Sequence, residues 1–237
     1  MIERSIPSTF FLTIDWLDNR KLYFRHIISL CVDIAKRLKS DSQIDFIERL
    51  NNRTGLSHVD INDFSKWLME FRQNDEGLFD EICQLLSIDP QYFLADTKPY
   101  LTRDQVRQMH LEGFTIGAHG MSHQKLGFVP EDVVEQEIVG SCKAIQEITG
   151  QAIVPFSFPQ SAARVNRSML YEILDRNPLV GLLFDTKDLR IENKFLLNRV
   201  WAERPLTSER RLHPISKILR HAYQDAWVDG VVKVMKD

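Results

Sequence analysis

Gly113 to Leu126 reads GFTIGAHGMSHQKL, and this stretch decides the fold. Its first half, FTIGA, is a short apolar run opened by a glycine, too short for a helix and suited to a buried strand. Its second half sets His119 and His123 four residues apart. Upstream, Thr102 has the chemistry of a helix N-cap, and DQVRQMHLE has helical spacing closed by Gly113. A helix that runs into a strand, which then releases two histidines, is the pattern of an α/β fold with its chemistry at the carboxyl ends of strands.

On the first turn of a helix, residues i and i+4 share one face with Cβ atoms about 5–6 Å apart, within reach of a single metal ion. Gly117 and Gly120 would let backbone approach closely there. The same two histidines could equally be polar loop residues satisfied by water or a carbonyl, and spacing alone leaves both readings open. His26, His58, His110 and His221 have apolar helical neighbours and read as structural.

The remaining chain extends the alternation. STFFLTI at residues 8–14 reads as a buried strand rich in Phe and Thr. After the histidines come a helix over 131–148 closed by Gly150, a strand IVPFSF, a helix over 167–175 and a strand LVGLLF. Between residues 20 and 99 only helical periods occur. Ile27, Leu30, Cys31, Ile34, Ala35 and Leu38 fall on one face, and further helices are predicted over 43–50, 61–71 and 78–86, separated by NNRTG, QNDEG and SIDP. Residues 1–19 and 100–237 are therefore predicted to form an α/β core, with 20–99 as a helical insertion. Asp15 and Asp18 read as a helix N-cap region.

Composition bounds the function. With 237 residues, a net charge of -3 and 27% charged residues, the chain has no field that would gather nucleic acid. No apolar run is long enough to span a bilayer. Cys31, Cys83 and Cys142 are odd in number and widely spaced, as expected of reduced core thiols. MIERSIPSTFF lacks the basic and apolar regions of a signal peptide, which points to the cytoplasm. MIERS itself reads as the last turn of a helix, so the protein is expected to begin upstream of Met1. The basic run from Arg190 to His221 reads as the solvated face of a C-terminal helix. There is no GxGxxG, P-loop, GxSxG or CxxC.

TIGAHGMSH resembles the second motif of the polysaccharide deacetylase family, carbohydrate esterase family 4, with the NodB-homology fold. IPSTFFL at residues 6–12 resembles that family's second strand, YLTRDQVRQMHLEGFTIGAH the helix and strand that lead to its histidines, and VPFSFPQS at residues 154–161 its third motif. The resemblance implies a deformed (β/α) barrel holding one divalent metal, zinc or zinc-like, with His119 and His123 as two ligands. It implies hydrolysis of a sugar N- or O-acetyl group in surface polysaccharide metabolism. It further implies that backbone donors at Pro159 and Gln160 stabilise the oxyanion, and that Arg199, within LLNRVW, lies near the carbohydrate.

Several departures are visible. No TFDDG-like first motif, the family's source of the metal aspartate and catalytic base, precedes IPSTFF, so the barrel is expected to lack its first strand and the chain itself to be incomplete, inactive or nearly so. Ser157 and Gln160 replace an arginine and an aromatic, and Gly120 replaces a hydroxyl residue. His213 is the candidate for the fifth-motif acid by chain order alone, and its charged surroundings favour a surface histidine. The alternative to an enzyme is a non-catalytic NodB-like domain that binds a glycan or a partner protein. A missing carboxylate could also come from a neighbouring subunit, and an exposed sheet edge would favour a homo-oligomer.

Overall fold

The computed structural model describes residues 6–71, 76–186, 194–200 and 215–228. The chain divides into two compact units, one of Met1–Asp15 with Arg103–Asp237 and one of Trp16–Thr102.

The first unit is built on a parallel sheet. Its strands are β1 (Thr9–Leu12), β2 (Thr115–Ala118), β3 (Val154–Ser157), β4 (Val180–Asp185) and β5 (Leu196–Asn198), in the order β1-β2-β3-β4-β5 with each neighbouring pair parallel. Such a sheet is covered on both faces, which is why its strands read as nearly continuous apolar runs. Ile116, Ala118, Val154 and Phe156 are fully buried. LLN at β5 carries too little apolar length to be recognised alone and becomes a strand only through its register with Leu183, Phe184 and Asp185.

The sheet curls. β1 and β4 are separated by two strands, which in a flat sheet would set them about 14 Å apart at roughly 4.8 Å per strand, yet the rings of Phe11 and Phe184 meet at 5.3 Å between centroids. Gly117 makes this possible: it is the register partner of Phe11, and a Cβ on it would lie 2.5 Å from the Phe11 ring and 2.9 Å from the Pro155 carbonyl. Consecutive parallel pairing and this curl are features of a barrel wall. The described strands run from β1 at one edge to β5 at the other and show no closure between them.

The helices of this unit are α6 (Arg103–Leu111), the run formed by α7 (Glu131–Glu135), a π-helical turn (Gln136–Gly140) and α8 (Ser141–Thr149), then α9 (Arg167–Arg176) and α10 (Ile215–Val228). α6 and α8 pack on β2, and α8 also on β3, with Val106, Ile138, Cys142 and Ile145 as fully buried contacts. Gly150, at φ 76°, ends α8 in the left-handed conformation that glycine adopts without strain.

The second unit holds α1 (Phe24–Arg37), α2 (Ser40–Thr54), α3 (Ile61–Glu70), α4 (Glu76–Leu85) and α5 (Pro90–Thr97). Its core gathers Ile28, Cys31, Leu50, Phe64, Leu68 and Ile82. α5 is absent from the prediction because SIDP was read as a break. Asp89 caps it by accepting from the backbone N–H groups of Gln91 and Tyr92, with Pro90 at its first position, so the same dipeptide that ends one element starts the next. Asp15 lies in a short 3-10 turn and Asp18 at a left-handed kink (φ 59°) within Ile14–Asn19, rather than at the start of α1, whose N-cap is Tyr23. Cys31 and Cys83 face each other with Sγ atoms 3.8 Å apart. None of the described helices is long and apolar enough to cross a membrane.

Candidate metal centre

The carboxyl ends of β2, β3, β4 and β5 converge because all four strands run the same way. His119 is the first residue beyond β2, and its backbone N–H still donates to the Leu12 carbonyl at 2.8 Å. Ser157 closes β3, Asp185 closes β4, and Arg199 follows β5.

The two histidines come together, but not as the spacing predicts. Residues 119–123 form a loop rather than a helical turn. Gly120 (φ 83°) and His123 (φ 65°) both take left-handed backbone, which folds the loop back so that the imidazole centroids stand 5.0 Å apart at 72°. For His123, which has a Cβ, this conformation is uncommon and of the kind that clusters at functional sites. The main chain of the loop is tied to the segment after β1, with Ile14 N–H donating to the Gly120 carbonyl at 3.2 Å and Asp15 N–H to the Met121 carbonyl at 2.9 Å.

His119 Nδ1 lies 2.6 Å from the Ser157 carbonyl. A carbonyl can only accept, so Nδ1 carries the proton and Nε2 keeps its lone pair. Burial pushes the His119 imidazole down to about 4; the Ser157 carbonyl opposes this, and the charges of His123 and Arg199 add to it. Burial also lowers His123, against the opposing pull of the Glu137 carboxylate. Both rings are therefore neutral at pH 7 and able to offer a nitrogen lone pair.

Pro159 is buried and Gln160 exposed, with Gln160 at φ 62° and its carbonyl accepting from Thr186 Oγ1 at 3.0 Å. Proline has no N–H, so of this predicted donor pair only Gln160 can supply a backbone hydrogen bond. Arg199 donates its backbone N–H to the Asp185 carbonyl at 2.8 Å. Its guanidinium is lowered by burial, with the Asp185 charge opposing. His213 lies outside the described residues.

Two acids escape the sequence reading. Glu137, 4% exposed, accepts from Met121 N–H at 2.7 Å, Ser122 N–H at 3.2 Å and Ser122 Oγ at 2.6 Å. A charged residue in step with Val134, Ser141 and Ile145 on a buried helical face was its visible signal. Asp185, fully buried, accepts through Oδ1 from Ala162 N–H and Thr186 N–H, both at 2.8 Å. Its Oδ2 and the Ser157 hydroxyl are buried without a hydrogen-bond partner among the described residues. Buried polar atoms of this kind require explanation by water or ligand. Asp185 could have been singled out as the acid that ends LVGLLF at the active end of a parallel strand.

Residues 81–175 match the family model described as polysaccharide deacetylase. This segment is similar to the polysaccharide deacetylase family. It spans both histidines, Glu137, Pro159 and Gln160, while β1, β4, β5, Asp185 and Arg199 lie beyond the matched residues. No curated protein matches the chain. Among solved structures, the Streptococcus pyogenes deacetylase PplD in complex with acetate aligns at a TM-score of 0.37 and 13% identity, over 82% of this chain and 88% of that one.

No group of three His, Cys, Asp or Glu side chains suited to a metal ion occurs among the described residues. The histidine pair offers two neutral imidazoles, one with its tautomer set by a carbonyl, with ring centroids 5.0 Å apart, the chemistry of two ligands of a metal ion.

Proposed function

We propose that the protein is a metal-dependent carbohydrate deacetylase that removes an acetyl group from an N- or O-acetylated sugar polymer, with His119 and His123 as two ligands of a zinc-like divalent ion. The observation that carries this reading is the pinned tautomer of His119, which turns Nε2 into a donor beside a second neutral imidazole at the carboxyl end of the sheet. A divalent ion bound there would act as a Lewis acid on the acyl carbonyl and lower the pKa of bound water.

The chain's own residues have definable tasks. Ser157, through its carbonyl, holds the His119 ring and keeps its proton on Nδ1. Gln160 would be the backbone donor of the third-motif loop that meets developing negative charge on the acyl oxygen. Arg199 contributes positive charge felt at His119, suited to orienting polar groups of a sugar. Zinc sites use at least three protein ligands, so the pair requires one more donor.

The test joins binding to turnover. Zinc calorimetry on the purified chain should show micromolar or tighter binding, lost in His119→Ala. Acetate release from an acetylated oligosaccharide should accompany it once the missing carboxylate donor is supplied, and stop with a chelator. Failure of the wild-type chain to bind zinc would overturn the metal-dependent reading, and binding without acetate release would favour the non-catalytic one.

A further inference from the structure

We propose that Glu137 is the positioning residue of the histidine pair: its buried carboxylate clamps the Met121–Ser122 turn and so fixes both imidazoles for one ion. This inference rests on the metal-binding reading above.

Nothing regular holds the loop that carries the histidines. It leaves β2 at Ala118, reverses at Gly120 and again at His123 through left-handed backbone, and lies outside helix and sheet. The two N–H groups between the reversals, those of Met121 and Ser122, converge on one oxygen, Glu137 Oε2, while Ser122 Oγ donates to Oε1 at 2.6 Å. The span bound by Glu137 is therefore the span that separates the ligands. Gly120 is part of the fit, since a Cβ there would come within 2.6 Å of Oε2.

Glu137 reaches the loop because of an irregularity in its helix. Residues 136–140 form a π-helical turn, and Glu137, Ile138 and Val139 are buried in succession, which a regular helix turning 100° per residue does not do on one face. Ser141 Oγ donates to the Glu137 carbonyl at 2.5 Å and the Ile138 carbonyl at 3.1 Å, serving backbone acceptors around the bulge. π-Turns inside α-helices are frequent at functional sites. A carboxylate removed from water is costly unless its oxygens are taken up, and here three donors of the histidine loop take them up. Loop and carboxylate thus stabilise each other. The negative charge also acts on His123, in the way a carboxylate behind a metal-bound histidine raises ligand basicity.

Glu137→Gln keeps the size but cannot accept at both oxygens. Ile145→Val, buried in the same helical run about two turns beyond Glu137, controls for loss of stability, at about 1 kcal/mol. Zinc calorimetry should show affinity weakened about 10–100-fold in Glu137→Gln, the range for outer-shell partners, and unchanged within about twofold in Ile145→Val. Hydrogen exchange of the Met121 and Ser122 amides, read without metal, should be at least about tenfold faster in Glu137→Gln alone. Should Glu137→Gln not fold, half-buried Ser122→Ala removes the Oε1 bond and should weaken zinc several-fold. Wild-type zinc affinity in Glu137→Gln, or in Ser122→Ala when it stands in, would overturn the inference. If the wild-type chain binds no zinc, the metal-binding reading falls, and amide exchange then decides the clamp: unchanged protection overturns it.

Discussion

Lowering the pH from 7 to 5 should cost the α/β unit about 2 kcal/mol of stability through His119 alone. The folded ring is held near 4 where an unfolded histidine titrates at 6.5, a difference of about 3 kcal/mol at 1.36 kcal/mol per pKa unit. The folded state takes up this proton less readily than the unfolded one. The contribution is thus fully present above pH 6.5, is lost progressively as pH falls from 6.5 toward 4, and is constant below that. At pH 5 nearly every unfolded chain is protonated at this position and few folded ones are, so about 2 of the roughly 3 kcal/mol have been lost. The comparison is with His119→Gln, which cannot titrate. Urea unfolding, followed by exchange of the buried Ile116 and Ala118 amides, should show a pH 7 to pH 5 loss about 2 kcal/mol greater in wild type than in the variant. The His119 imidazole should titrate near 4 by NMR. Equal pH sensitivity in the two proteins, or titration near 6.5, would refute the argument that burial keeps this ring neutral against the opposing pull of the Ser157 carbonyl.

Other substitutions probe the rest of the architecture. Gly117→Ala puts a methyl against the Phe11 ring and the Pro155 carbonyl; it should lower stability by about 1–3 kcal/mol, and an unchanged urea midpoint would show that the sheet does not need this glycine to curl. Asp185→Ala strands the N–H groups of Ala162 and Thr186 at about 1–3 kcal/mol, whereas Asp185→Asn keeps the Oδ1 acceptor and should stay within about 1 kcal/mol of wild type, both read by denaturant unfolding. Cys142, fully buried and pushed up to about 12, should resist a disulfide reagent at pH 8 in the folded chain and react fully in urea; fast labelling of the native protein would contradict its burial.

Local patterns made much of this protein legible. The strands at residues 8–14, 114–118, 153–158 and 179–184 stood out because a parallel sheet buried on both faces needs continuous apolar runs. The long helices stood out because each has a single apolar face, and the histidine pair because two such residues after a strand are conspicuous. α5 was hidden by a signal with two meanings, since Asp–Pro both ends and begins helices. β5 was hidden because three residues carry no periodicity.

What the sequence by itself determined is what lies within a few residues: strand and helix identity, the glycines at reversals, and the position of His119 and His123 at the active end of the sheet. Only the tertiary structure decided what joins distant residues. His119 acquires its tautomer from Ser157, 38 positions away, and Glu137 meets the histidine loop 15 and 16 positions back through a widened helical turn. Phe11 reaches Phe184 only because the sheet curls around Gly117. Spacing along a chain reports the period of one element. Hydrogen bonds and buried charge depend on where separate elements are brought together, and that is set by the packing of the whole unit.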